Sequence, residues 1–142
     1  MTSALDALSP SPDTPLDIVA DANIPFARAA FGGLGTVRQI PGRAITRDAL
    51  ATTDVLLVRS VTPVGEALLD GTPVRFVGTA TAGTEHVDAS ALAARGVAFA
   101  SAPGSNAASV VDYVLAALLA VAADRGEVLA GKTLGVVGVG AV

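Results

Sequence analysis

Five short strand-like runs alternate with helix-like stretches between residues 16 and 100, and this alternation constrains the fold more than any other feature. The runs are largely apolar rather than alternating between apolar and polar residues, which is typical of strands covered on both faces. Such strands, separated by helices, favour a parallel sheet with helices on each side. The sequence therefore predicts a doubly wound α/β fold. The expected strands are 16–20, 36–40, 55–58, 74–77 and 97–100.

Helices are predicted between these runs from capping residues and from glycines that end a helix. One ends near residue 31, Thr46 caps a short one through residue 52, and others cover 64–69 and 85–94. Gly71 and Gly96 are the expected stop signals of the last two.

The sequence predicts two domains of unequal completeness. Residues 1–15, rich in proline and serine, are expected to be a mobile leader, and residues 16–105 a flavodoxin-like domain. Residues 106–131 would be a crossover helix and linker, and residues 132–142 the start of a second, truncated Rossmann domain. In that last segment a strand at 134–137 leads into glycines at positions 138 and 140, the opening of a G-x-G-x-x-G dinucleotide-binding loop.

The stretch 107–123 is nearly all apolar, which raises the question whether it could span a membrane. A spanning helix needs about 20 apolar residues, and an aspartate such as Asp112 inside it costs about 3 kcal/mol. The sequence therefore predicts a helix buried against a second domain or subunit rather than a membrane span.

Charge and cysteine content exclude several functions. The net charge of −4 disfavours nucleic-acid binding, and the absence of cysteine excludes disulfides and thiolate chemistry. The one histidine, His86, cannot by itself make an ordinary zinc site, so we expect no metal and a structural role at the start of a helix.

Residues that follow the strands form the candidate site, because ligands of doubly wound sheets bind beyond the carboxyl ends of the strands. Arg43 follows the second strand, Arg59, Ser60 and Thr62 the third, and the glycine- and threonine-rich run 78–84 the fourth. Arginines, hydroxyls and backbone N–H groups suit a small carboxylate or phosphate. The same residues could instead shape turns or remain solvated. The run 78–84 lacks the lysine of a phosphate-binding P-loop, which argues against nucleotide triphosphates.

The segments 55–62, 76–88, 102–106 and 135–140 resemble the D-isomer-specific 2-hydroxyacid dehydrogenases. The resemblance implies an NAD-dependent oxidoreductase, cytoplasmic and homodimeric. The run Ile-Pro-Gly-Arg at 40–43 together with 78–84 is most similar to members whose substrate is a small phosphorylated hydroxy acid.

The resemblance also implies roles for individual residues. Ser60 and Thr81 would bind substrate, backbone at Ala82 and Gly83 would face its carboxylate, and Arg59 would be a nearby anion partner.

The resemblance further implies that cofactor and acid–base chemistry lie mainly elsewhere. Gly138 and Gly140 would contact NAD, while the catalytic arginine, glutamate and histidine of the family are expected beyond Val142. The isolated chain is therefore expected to be inactive. Two alternatives stay open: a related dehydrogenase acting on 3-phosphoglycerate, and a non-enzymatic, NAD-sensing protein of the corepressor type.

Overall fold

The computed structural model describes residues 15–138 and residue 140. The chain divides into two compact units, of which the first ends at Ala102 and the second begins at Pro103. The first contains a sheet with short helices, and the second contains one long helix and the segment after it. Apart from Pro15, the predicted leader at 1–15 lies outside the described residues.

All strands of the first unit belong to one parallel sheet, in the order β2-β1-β3-β4-β5. This is the strand order of a flavodoxin-like doubly wound sheet, so the predicted fold class is confirmed. Because every strand runs in the same direction, all five carboxyl ends meet at one edge. The strands are β1 (Leu16–Asp21), β2 (Gly35–Ile40), β3 (Val55–Val58), β4 (Phe76–Thr79) and β5 (Ala98–Ala100).

Two apolar clusters cover the two faces of the sheet. On one face Val19 and Leu56 pack with side chains that include Leu92, and on the other Ile18 and Leu57 pack with neighbours such as Ile24 and Ala27. All four residues of β3 are buried, since successive side chains point to opposite faces and both faces are covered. The largely apolar composition of the strands follows from this double coverage.

Short helices connect the strands, and two of them end at glycines in the left-handed region. Gly71 has φ of +69° and Gly96 has φ of +70°, a conformation that glycine adopts without a Cβ penalty. Both predicted stop signals are therefore confirmed. The helices of this unit are α1 (Ala27–Phe31), α2 (Glu66–Leu69) and α3 (Ala89–Ala94), with 3₁₀ turns at Gly42–Ala44 and Asp48–Leu50.

The helix predicted at 85–94 begins later than expected, at Ala89. Val87 instead pairs with Val64 in a parallel bridge, in which the Val64 N–H donates to the His86 carbonyl at 2.8 Å. Asp88 then caps α3 by accepting a hydrogen bond from the Ala91 N–H at 2.9 Å. The same bridge takes Val64 out of the helix predicted at 64–69. Tertiary pairing has overridden the local helical preference at both positions.

Smaller differences appear at two other predicted elements. The strand predicted at 74–77 is displaced to Phe76–Thr79, because Val74 is buried by packing in the core rather than by strand pairing. The short helix predicted after Thr46 is a 3₁₀ turn at Asp48–Leu50, and the Ala49 N–H reaches the Thr46 hydroxyl at 3.4 Å.

The second unit contains helix α4 (Ala107–Asp124), in agreement with the predicted helix at 107–123. Its 18 residues have a mean hydropathy of 1.8, so its length and composition would allow it to cross a membrane. In the described part of this unit, the side chains of Val111, Leu115 and Leu119 are exposed. The charged Asp112 in its second turn disfavours a lipid environment.

The strand predicted at 134–137 is absent: these residues form neither strand nor helix. A parallel strand needs a neighbour to satisfy its backbone N–H and C=O groups. Within the described part of the second unit there is no other strand for this segment to pair with.

Candidate functional site

The candidate site lies at the carboxyl edge of the sheet, where β3 and β4 end side by side. Val58 and Thr79 are partners in the parallel register, and the Ala80 N–H donates to the Val58 carbonyl at 2.9 Å. Ser60 and Thr81 each follow two residues after these partners, so the structure brings the two predicted substrate-binding residues to neighbouring loops on one edge.

A tight turn carries Arg59 and Ser60. The Thr62 N–H donates to the Arg59 carbonyl at 3.1 Å, which closes the turn, and leaves Arg59 half-buried and Ser60 exposed. The hydroxyl of Thr62 is buried and donates to the Gly42 carbonyl at 2.9 Å. Thr62 therefore shapes the turn and ties it to the loop after β2, while the hydroxyl of Ser60 stays accessible to a ligand.

Gly42 sits where the end of β1 meets the loops after β2 and β3, and a side chain would not fit there. A Cβ atom at this position would lie 2.4 Å from Asp21 Oδ2, 2.7 Å from Val61 Cγ2 and 3.0 Å from Thr62 Oγ1. Asp21 is the last residue of β1, Val61 and Thr62 belong to the loop after β3, and Gly42 itself belongs to the loop after β2. The close contact fixes the loop of Ser60 relative to the other two.

Asp21 is fully buried at this junction, at the end of β1. Its Oδ1 accepts hydrogen bonds from the Asn23 backbone N–H at 2.9 Å and from the Asn23 side-chain amide at 3.4 Å. Among the described residues, no hydrogen-bond partner reaches its Oδ2. Asp21 packs beneath Gly42, so it supports the loops rather than facing a ligand directly.

The loop after β4 is organised by a chain of hydroxyl groups. Thr79 Oγ1 lies 2.9 Å from Thr81 Oγ1 and 3.0 Å from His86 Nε2, and Thr81 donates to the Gly83 carbonyl at 3.1 Å. Ala82 is exposed beside them and Gly83 is half-buried. The predicted substrate-binding residues of this loop are therefore held together by their own hydrogen bonds.

The sequence did not reveal the positions of Thr79 and His86 in this network. His86 was expected at the start of a helix, but it lies before α3 and its ring reaches the end of β4. The only sequence signal was indirect: the spacing from 79 to 86 spans a glycine-containing loop that can turn back on itself.

Two concavities lie near the candidate site. One of about 240 Å³ is apolar, lined by Ile24, Phe31 and Leu57 together with the ends of β4 and β5. The other, of about 540 Å³, lies between the turn leading into α2 and the residues before α3. Glu66, Glu85 and Asp88 line the second one and would repel an anion. The second concavity is therefore poorly suited to a carboxylate or phosphate, and the role of Arg59 and of the backbone N–H groups at 82–83 in binding such an anion stays a prediction.

Gly138 and Gly140, predicted to contact NAD, lie in the second unit. Gly138 has φ of +90°, and a Cβ on either glycine would meet no atom within 4 Å. A positive φ and open space fit a loop whose backbone approaches a pyrophosphate. In the described part of the chain no helix follows these glycines to supply its N-terminus, so only the opening of such a loop is present.

The sequence of residues 17–136 matches the D-isomer-specific 2-hydroxyacid dehydrogenase family, in its catalytic domain. Erythronate-4-phosphate dehydrogenase of Salinibacter ruber is 63% identical over 127 residues, which are 89% of this chain and 32% of that protein. The protein of the same name from Pseudomonas aeruginosa strain UCBPP-PA14 is 59% identical over 125 residues, 88% of this chain and 33% of that protein. The chain thus spans about a third of the length of these relatives.

Solved structures agree on the fold. D-lactate dehydrogenase from Aquifex aeolicus, complexed with NAD and lactic acid, superposes with a TM-score of 0.58 at 17% identity, covering 72% of this chain and 32% of that one. NAD-bound 3-phosphoglycerate dehydrogenase of Entamoeba histolytica superposes with a TM-score of 0.54 at 24% identity, covering 66% of this chain and 34% of that one. The family resemblance of the sequence motifs is confirmed: this chain belongs to the D-isomer-specific 2-hydroxyacid dehydrogenases.

Proposed function

We propose that the full-length protein carrying this chain oxidises 4-phospho-D-erythronate to the corresponding 2-oxo acid with NAD, and that the first unit binds the substrate. The relatives named erythronate-4-phosphate dehydrogenase, at 63% and 59% identity, support this substrate over other hydroxy acids. The runs at 40–43 and 78–84 are the parts of the sequence most similar to that enzyme.

One observation carries the binding role: the loops after β3 and β4 bring Ser60 and Thr81 to the same edge of the sheet. In this proposal the guanidinium of Arg59 supplies positive charge and the hydroxyl of Ser60 donates to a substrate oxygen. Backbone N–H groups at 82–83 donate hydrogen bonds to the substrate carboxylate.

NAD supplies the hydride acceptor when it is bound. Gly138 and Gly140 would let the backbone approach its pyrophosphate. The acid–base groups are assigned, by resemblance, to residues after Val142, so the described residues orient the substrate and do not move its protons.

The test is to assay the full-length protein with a panel of hydroxy acids and to measure the formation of NADH. We expect 4-phosphoerythronate to give the highest kcat/KM, ahead of 3-phosphoglycerate and D-lactate. A higher kcat/KM for 3-phosphoglycerate would contradict the proposed substrate but not the family. Loss of turnover with every hydroxy acid, with NAD binding retained, would favour a cofactor-sensing binding protein.

The proposal also covers assembly and location: a cytoplasmic homodimer that binds neither membrane nor nucleic acid. The exposed apolar side chains of α4 support a contact with another domain or subunit, and the net charge of −4 disfavours a polyanionic partner. Sedimentation of the full-length protein at several concentrations tests the dimer. Recovery of the protein with membranes after cell fractionation would contradict the location.

A further inference from the structure

For all three contacts among His86, Thr79, Thr81 and the Gly83 carbonyl to be hydrogen bonds at once, the chain can run in only one direction. A hydroxyl has a single proton to donate and two lone pairs to accept with. The Gly83 carbonyl can only accept, so the proton of Thr81 goes to it, at 3.1 Å. Thr79 must then donate to Thr81, at 2.9 Å. The oxygen of Thr79 is left as the acceptor for His86 Nε2, at 3.0 Å, and this nitrogen therefore carries a hydrogen.

This direction decides what Thr81 can offer to a ligand. Its proton is already used, and one lone pair accepts from Thr79, so the other lone pair remains for a donor. At neutral pH a carboxylate has no proton to donate, and a phosphate monoester is mostly dianionic. A substrate hydroxyl has a proton to donate, and the half-buried side chain of Thr81 lies at the edge where the substrate is expected.

The two residues behind Thr81 are held firmly. Thr79 is the last residue of β4 and only 8% exposed. The backbone of His86 is anchored where it enters the bridge, because its carbonyl accepts from the Val64 N–H at 2.8 Å and the adjacent Val87 is buried in the bridge to Val64. The Gly83 carbonyl can only accept, and this sets the direction of both hydroxyls.

We propose that His86 and Thr79 are positioning residues that hold the oxygen of Thr81 as a hydrogen-bond acceptor for the C3 hydroxyl of the substrate. This rests on the proposed function. The C2 hydroxyl is the group that is oxidised and gives up its proton to the acid–base group. The C3 hydroxyl is the remaining donor of 4-phosphoerythronate. A 3-phosphoglycerate molecule has no second free hydroxyl, so Thr81 discriminates between the two substrate classes.

The experiment compares two substrates in the full-length enzyme: 4-phosphoerythronate and its 3-deoxy analogue, 2-hydroxy-4-phosphobutanoate. The wild type should prefer the hydroxylated substrate by about 10-fold in kcat/KM, the effect of one hydrogen bond in a partly exposed site. Thr79→Val and His86→Met remove the hydroxyl and the ring donor, and should reduce this preference to about 3-fold or less. Thr79→Ser and His86→Gln keep a donor in place and should restore it.

The ratio of the two substrates separates positioning from simple loss of structure, because a partly unfolded enzyme loses activity toward both. An unchanged ratio in Thr79→Val and His86→Met would overturn the role of His86 and Thr79 while leaving the proposed function standing. A wild type that oxidises neither compound would overturn the proposed function and this role with it.

A second measurement observes the position of the ring proton directly and does not depend on activity. In ¹⁵N-histidine-labelled full-length wild type, the ring of His86 should show a protonated Nε2, with the signal assigned by its absence in His86→Gln. A neutral ring with the proton on Nδ1 would reverse the chain and overturn the proposal.

Discussion

The guanidinium of Arg38 on β2 binds the carboxylate of Asp17 on β1 through two hydrogen bonds, at 3.0 and 2.9 Å. The same guanidinium donates to the Thr53 hydroxyl at 3.0 Å, and the Thr52 hydroxyl donates to Asp17 at 2.6 Å. Asp17 is the second residue of β1, so this cluster joins the two strands far along the sheet from the candidate site. It serves stability rather than ligand binding.

Stability should therefore depend on pH through Asp17. The hydrogen bond from Arg38 is the main cause that lowers the pKa of this carboxyl below its ordinary value of 3.8. A carboxyl whose pKa is lowered by folding stabilises the protein at every pH above its ordinary, unfolded pKa. This stabilisation is lost as the pH falls through the lower pKa of the folded state. Asp17→Asn should reduce the free energy of unfolding by about 1 kcal/mol at neutral pH, a modest figure because both side chains are partly exposed.

The measurement is urea unfolding of the full-length protein at a series of pH values. The difference between wild type and Asp17→Asn should shrink below about pH 4. Asp48→Asn, at an exposed position, is the control and should track the wild type. A difference that is constant down to pH 2 would contradict this account.

Gly42→Ala should destabilise the protein and weaken substrate binding together. The new Cβ would lie 2.4 Å from Asp21 Oδ2 and 2.7 Å from Val61 Cγ2, so the loop after β2 must move away from the end of β1 and from the loop after β3. We expect a loss of about 2 kcal/mol in the free energy of unfolding. We also expect a raised KM, because Ser60 moves with its loop.

Gly33→Ala is the matched control for this change, since a Cβ at Gly33 would meet nothing within 4 Å. Thermal unfolding and steady-state kinetics on both variants give the comparison. Equal stability of the two variants would show that the end of β1 and the two loops can separate without loss of stability.

Removal of the predicted anion-binding groups should reduce kcat/KM without reducing stability. Ser60→Ala should lower kcat/KM for 4-phosphoerythronate by about 10-fold, and Arg59→Met by more, because hydrogen bonds to charged groups are the stronger ones. Thr36→Ala, at an exposed position on β2, should stay within about twofold of wild type. An activity in Ser60→Ala equal to wild type would remove Ser60 from the site.

The isolated 142-residue chain should form no NADH from 4-phosphoerythronate, because the acid–base groups are assigned to later residues. It should also aggregate, since Val111, Leu115 and Leu119 of α4 are exposed in the described part of the second unit. Analytical sedimentation and a coupled NADH assay check both expectations. A monodisperse monomer with cooperative unfolding would contradict the second one.

The sequence predicts best what depends on local pattern. Strand β3 (Val55–Val58) agrees with the prediction residue for residue, because a buried central strand is continuously apolar. The helix ends at Gly71 and Gly96 are also predicted correctly, because a backbone with positive φ favours glycine over other residues.

Prediction from local sequence fails where contacts with residues distant in the sequence determine the local structure. The bridge between Val64 and Val87 joins segments far apart in sequence and moves the start of α3 to Ala89. The strand predicted at 134–137 needs a neighbour that no local pattern can supply. For the candidate site, the predicted ends of the third and fourth strands were enough to predict that Ser60 and Thr81 lie on the same edge of the sheet. The contact of His86 with Thr79 depends on how one loop turns back, which its composition does not determine.

The position of β1 between β2 and β3 bears on how the protein is made. The ribosome releases β1 first, and β2 can cover one of its edges soon afterwards. The other edge stays unpaired until β3 leaves the exit tunnel, so a nascent chain carries an open strand edge during synthesis. Slowing translation between β2 and β3 would prolong that interval and favour self-association of the unfinished chain.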